Sequence, residues 1–345
     1  MNSHMELKLE ELIKDTMFYK DIPGLAITVT KDNSIVYSKG FGVTNIETQQ
    51  LVTPKTIFHM AFVTKTFVSL SVMQLAEQEK LDIRKTVHEY LPYFQMKDER
   101  YKNITIEQML SHTSGMPDCD DYEWERPEYD GEALERYVRG LKDLHLVSEP
   151  GEKFKYSNIA YEILGDVISK VSGEAFEDYV FRHILQPLRM SDSTLLLQNT
   201  KFETLARPHV KNKEKKVVLS KVFPYNRKHA PSSTMYSNVL DISRWGMANL
   251  NGGELDGERI LQISTHEFMW TPAASIPGEE QEMGMGWFVA NHQGYRLVGH
   301  EGCDIGFRSS FGLIPEIKGS AIVLANAHYA STKKIMTAAI DMMLH

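Results

Sequence analysis

The sequence predicts a mixed α and β fold: one antiparallel sheet built from both chain ends and covered by helices, with a helical region inserted. Two β-rich zones lead to this, at residues 24–43 and 283–330. Between them the apolar residues recur at helical spacing, with capping and stop signals at segment ends. No internal repeat or low-complexity tract breaks the 345 residues into an array.

In chain order, "MELKLEELIKDTMFYK" reads as a charged amphipathic helix with no apolar signal core. "MNSH" ahead of Met5 reads as a cloning remnant, so the expected unit is 5–345. "GLAITVTKDNSIVYSKGFGV" gives two strands around the turn Lys31-Asp32-Asn33. From Phe62 to Lys80 the residues Val63, Phe67, Val68, Leu70, Val72, Met73 and Leu75 cover most of a helix circumference, which predicts a buried helix. It is expected to help cover the sheet. "ITIEQMLSHTSGMP" ends on Gly and Pro as a helix stop should, and three further helical segments run from Gly131 to Leu188. "SNVLDISRWGMANLNGG" is another helix, started by Ser/Asn and stopped by glycine. Strands then return, and "STKKIMTAAIDMML" closes the chain as a helix. One unit is expected, with a sheet part at about 5–60 and 280–345 and a mainly helical part at about 61–279.

Composition narrows the function classes. A net charge of −8 argues against a nucleic-acid surface, which needs a basic field. No apolar run reaches bilayer length, so no transmembrane segment is expected. As written the chain reads as soluble and cytoplasmic, although an export signal cut away ahead of Met5 leaves the native compartment open. Cys119 and Cys303 lie far apart, make no metal-ligand pattern and read as free thiols. Two polar stretches stand out. "DCDDYEWERPEYD" (118–130) holds seven acids and three aromatics; it reads as a solvated loop, with a substrate-facing lid as the alternative. "KNKEKK" (211–216) reads as a loop or hairpin tip.

Four short motifs come in a definite order: Phe62-Val63-Thr64-Lys65, "LSHTSGMP" (110–117), "EPGEKFKYSN" (149–158) and "GHEGCDIGF" (299–307). With the β–helix–β layout, this resembles the serine β-lactamase-like family: class C β-lactamases, penicillin-binding carboxypeptidases, D-aminopeptidases and related esterases. The resemblance runs from the first hairpin to the last strands and implies a β-lactamase/transpeptidase-like fold. It places the S-x-x-K motif on residues 62–65, with Phe62 at the nucleophile and Lys65 as base. The Y-x-N motif falls on Tyr156, Ser157 and Asn158, making Tyr156 the proton partner and Asn158 a substrate and lysine positioner. The K-T-G or H-x-G motif falls on His300, Glu301 and Gly302. The oxyanion hole is implied at the backbone N–H groups of residue 62 and Cys303. The resemblance implies no metal and no organic cofactor, and as partner a small-molecule or peptide substrate in the cleft; oligomeric state stays open.

The residue chemistry is legible beside the resemblance. Positions 62 and 65 lie one helical turn apart, on one face. Burial favours the neutral amine of Lys65, which makes it a base, and a neighbouring cation would favour a Tyr156 phenolate. Gly302 is expected to let the edge strand approach a substrate carbonyl. Glu301 would narrow the cleft or repel anions. His112 reads as a structural residue holding a turn.

Phe62 departs from the pattern. A phenyl ring is no nucleophile, so the covalent route is closed as written. Thr64 lies roughly 200° around the helix and faces away. Ser69 shares the face but lies two turns deeper, and the Cys303 thiol need not point inward. Serine and phenylalanine codons can differ by a single base (TCY to TTY). Three readings stand: an inactive or engineered variant of an amide- or ester-processing enzyme, a pseudoenzyme that binds a ligand or partner, or a non-covalent acid–base enzyme using Lys65 and Tyr156. Substrates compatible with the motifs are β-lactams, D-amino-acid peptides and simple esters.

Overall fold

The computed structural model describes residues 3–344. The eight-stranded sheet comprises β1 (Gly24–Lys31), β2 (Ser34–Gly42), β3 (Ala274–Ser275), β4 (Glu282–Met283), β5 (Phe288–His292), β6 (Tyr295–Asp304), β7 (Phe307–Ile314) and β8 (Gly319–Ala325). Its order is β2-β1-β8-β7-β6-β5-β4-β3, and every neighbouring pair is antiparallel. The chain ends meet inside the sheet, at its second and third strands, where Leu25 pairs with Ala325 and Lys31 with Gly319. β8 is buried along its whole length, which is why it reads as a continuous apolar run rather than an alternating one. At the β1–β2 turn Asp32 and Asn33 both take positive φ (49° and 59°), the left-handed pair that a tight hairpin needs.

Helices cover both faces. On the outer face α1 (Ser3–Lys20) and the last helix, α5 (Thr332–Leu344), bury Leu9, Ile13, Ile335, Ala339 and Ile340 against Leu25, Ile27 and Val29. Each large aliphatic side chain so buried contributes about 1.5–3 kcal/mol relative to exposure. Two further helices of the inserted region matter most for the site: α2 (Lys65–Glu77) and α3 (Asn158–Ser172). The expectation that the helix after Phe62 lies on the sheet needs correction. The inner face is covered by α4 (Val239–Leu250), which packs on β1 and β8. Gly246 lets it approach closely, since a Cβ there would stand 3.3 Å from Phe311. α2 lies behind α4, with Phe67 stacked on Trp245 at 4.2 Å between ring centroids, and packs against α3. A helix apolar all round suits that interior position.

The 118–130 stretch is more than a solvated loop. Trp124 is buried, donates its indole N–H to Asp304 at 2.8 Å and stacks on Tyr122. Lys228 pairs with Glu123 and Glu128 beneath it, while Tyr129 stays exposed. Residues 211–216 do form a hairpin tip, between the paired strands His209–Lys211 and Val217–Leu219. Both cysteines are free. No helix among the described residues is long and apolar enough to cross a membrane.

Candidate active site

Phe62 does not open an α-helix. It sits in a 3₁₀ turn, Ala61–Thr64, and α2 begins only at Lys65. Ala61 holds φ +47°, a left-handed conformation that is costly for a residue with a Cβ and typical of sites where surroundings over-determine the backbone. Those surroundings are visible. Met60 N donates to Met235 O at 2.7 Å, and Ser309 Oγ donates to Met60 O at 2.7 Å. Thr64 turns away from the cleft, as its spacing predicts: its hydroxyl donates to Ala61 O and accepts from Met235 N. Ser69 is fully buried beside Tyr161, with the two hydroxyls 3.3 Å apart. Both residues are buried, and neither lines the cavity beside Phe62.

The 3₁₀ turn has three residues per turn, so side chains 62 and 65 nearly eclipse. Lys65 Nζ stands 4.3 Å from the Phe62 ring centroid, 5.0 Å from that of Tyr156 and 5.6 Å from that of Tyr161. It donates to Asn158 Oδ1 at 2.5 Å and to Ser232 O at 3.2 Å. Burial lowers its pKa to about 7, against the opposing charges of Glu162, Asp118 and Asp304. The rings act in the cation's favour, because their faces attract an ammonium.

Asn158 opens α3, whose N-cap is Ser157, with its hydroxyl accepting from Ala160 N. Asp118 accepts from both the backbone N and the Nδ2 of Asn158, at 2.8 and 2.9 Å, which leaves Oδ1 aimed at Lys65. Tyr156 stacks flat on His112, with centroids 4.2 Å apart. His112 in turn accepts from Ser157 N through Nδ1 and receives Lys155 N on its carbonyl, so it does hold the turn. The expected Tyr156 phenolate is corrected here. The lysine faces the ring, and burial, then Tyr161 and Asp118, pushes the phenol well above its ordinary value.

β5 pairs with β6 only from Tyr295 to Gly299. Beyond that point His300–Asp304 forms a free strand edge on that side, facing Phe62 and Tyr156 across a cavity of about 250 Å³. Phe62, Tyr156, Phe288, His300, Gly302 and Cys303 line it. His300 Nδ1 lies 2.7 Å from Glu301 O and so carries its proton there; burial, with the Lys65 charge, lowers its pKa to about 3. Two expectations change. A Cβ at Gly302 would meet Met60 O at 2.3 Å and Phe62 N at 2.9 Å, so the glycine admits the backbone entering the 3₁₀ turn rather than a substrate carbonyl. Glu301 is paired with Lys333 at 2.7 Å and Arg308 at 3.4 Å, which neutralises it as an anion-repelling group. Cys303 lines the cavity; its thiol contacts His328 O at 3.7 Å and is pushed up by burial, the opposite of an activated thiolate.

Sequence reasoning missed Asp304, Ser232 and Glu162, and took Asp118 only as part of a loop. Asp304 accepts from Trp124, Ser233 and Ile305 N and pairs with His59. Glu162 had a usable signal, a lone carboxylate among Ile159, Ala160, Tyr161, Ile163 and Leu164.

Comparison with known proteins gives the same picture. The sequence profile described as beta-lactamase matches residues 9–341. Protein flp of Staphylococcus aureus (strain MW2) is 27% identical over 339 residues, 97% of this chain, and the chain spans 66% of that protein's length. The octameric penicillin-binding protein homologue from Pyrococcus abyssi superposes with a TM-score of 0.85 at 29% identity, over 98% of this chain and 77% of that one. D-amino acid amidase from Ochrobactrum anthropi SV3, solved with L-phenylalanine amide, shares the fold (TM-score 0.83, 19% identity, 99% of each chain). The chain belongs to the beta-lactamase family.

Proposed function

We propose that this chain is a serine-hydrolase-type acyl-transfer scaffold for amide or ester carbonyls, of the β-lactam, D-amino-acid peptide or ester class, and that Phe62 alone stops its covalent turnover. One observation supports this most. The nitrogen of Lys65 is buried and held by Asn158 and Ser232, and it meets a phenyl ring where a hydroxyl would stand. With serine at 62, Lys65 takes the hydroxyl proton as the oxygen attacks the carbonyl carbon. The N–H groups of residues 62 and 303 receive the oxyanion, and the protonated Tyr156 gives its proton to the leaving group. Water then releases the acyl group. The substrate lies extended along the free edge of His300–Asp304.

The test is a paired acylation of the parent chain and Phe62→Ser, with a fluorescent penicillin and a nitrophenyl ester, read by intact mass. Adduct on the serine variant alone is the expected outcome. No adduct on either refutes the scaffold reading. A second reading, ligand binding without turnover, is favoured by the cavity that Phe62 itself lines. Saturable binding of the penicillin to the Phe62 chain, with an unreactive Phe62→Ser variant, would favour it.

A further inference from the structure

α3 carries Asn158 and Glu162 four residues apart and therefore on one face. Both lead to Lys65. Asn158 reaches it directly. Glu162 reaches it through Ser232.

Glu162 is fully buried; its carboxylate accepts from the Ser232 N–H at 3.2 Å and the Ser232 hydroxyl at 2.5 Å, and His229 Nδ1 lies 3.0 Å from it. Both carboxylate oxygens are engaged: the Ser232 N–H ends on one, and the Ser232 hydroxyl and His229 meet the other. The carbonyl of the same Ser232 accepts from Lys65 Nζ at 3.2 Å. One residue thus has its N–H and hydroxyl on the anion and its carbonyl on the cation. His229 is boxed by Tyr122 and Tyr137, each 4.9 Å away, and by Trp124 at 5.7 Å, which closes the pair from water. A buried charge left alone would cost several kcal/mol, so a buried lysine calls for a fixed opposite charge nearby.

We propose that Glu162 is the positioning residue of Lys65: through Ser232 it fixes where the lysine nitrogen sits, and it is the main buried negative charge against which that nitrogen holds its proton. Its catalytic consequence rests on the acyl-transfer reading above. The other groups facing Lys65 are accounted for. Asp118, from the 118–130 loop, is committed to Asn158, and Asp304, at the end of β6, to His59, Trp124, Ser233 and Ile305. His112 and His300 are both held neutral by burial, and Tyr156 and Tyr161 keep their protons. Of the acids, Glu162 acts most strongly on Lys65.

The experiment follows the Lys65 ammonium by 15N NMR of lysine Nζ across pH in the Phe62 chain, with Lys65→Met identifying the signal. Glu162→Gln keeps the shape and removes the charge; its midpoint is expected to fall by about one pH unit, with most of the fall restored in Glu162→Asp. Ser232→Ala, which loosens Glu162 from the lysine's acceptor and keeps the charge, gives a smaller fall and covers the case in which Glu162→Gln does not fold. An unmoved midpoint in whichever of these folds overturns the proposal. In the Phe62→Ser background the low-pH limb of acylation should move to lower pH with Glu162→Gln. If Phe62→Ser is never acylated, the acyl-transfer reading fails, while the Nζ titration still decides the role of Glu162.

Discussion

Gly302→Ala places a Cβ 2.3 Å from Met60 O, 2.5 Å from Ser309 Oγ and 2.9 Å from Phe62 N. Carbon–oxygen contacts settle above about 3.3 Å, so β6 and the 3₁₀ turn must part by about 1 Å. Two of the three obstacles are backbone atoms and cannot rotate away. Overpacking of this kind costs about 1–3 kcal/mol. Parting the two segments also strains the Ser309 Oγ to Met60 O bond, worth about 1 kcal/mol. The expected loss is therefore about 3 kcal/mol, which at a urea slope of about 3 kcal/mol/M moves the unfolding midpoint by about 1 M. Gly140→Ala serves as the opposite-sign control. Gly140 ends the helix Ala133–Gly140 with φ −75° and has nothing within 4 Å of an added Cβ, so alanine there should stabilise by up to about 1 kcal/mol. Urea denaturation of the three proteins, followed by tryptophan fluorescence, decides. A Gly302→Ala midpoint equal to that of the parent would refute the close approach of β6 to the Phe62 turn.

Two further outcomes are expected beyond those of Phe62→Ser and the Glu162 series. Burial lowers the Lys65 pKa from 10.5 to about 7 on folding, so between those values the unfolded state binds more protons and stability should rise with pH, by at most about 1.4 kcal/mol per unit. Lys65→Met should remove that rise, and urea midpoints at pH 7, 8.5 and 10 check it; an identical slope in both proteins sinks the claim. Trp124→Phe keeps a ring beside Tyr122 and deletes the N–H that reaches Asp304. A hydrogen bond to a charged acceptor is worth about 1.5–3 kcal/mol, so amide exchange across 118–130 should quicken by about tenfold or more. Unchanged exchange would show that the loop is held by its other contacts.

The sheet from both ends, the hairpin around Lys31-Asp32-Asn33 and the buried helix after Phe62 were legible because periodicity, turn residues and apolar runs are local properties of a chain. The ordered motifs around Lys65, Tyr156 and His300 were legible for the same reason, and so was the phenyl ring at position 62. What each residue touches was not. Whether Gly302 faces a ligand or the Met60–Phe62 backbone depends on how two segments 240 residues apart are packed. Whether Tyr156 offers its hydroxyl or its ring to Lys65 depends on His112 stacking behind it. Trp124 looked like part of a wet loop because its acceptor, Asp304, lies far along the chain. α4 rather than α2 took the sheet face, a choice between two apolar helices that no pattern within either could make. Sequence by itself determined which groups this protein possesses and the order in which they come along the chain. Tertiary structure decided their charges and partners, because burial and long-range contact set both.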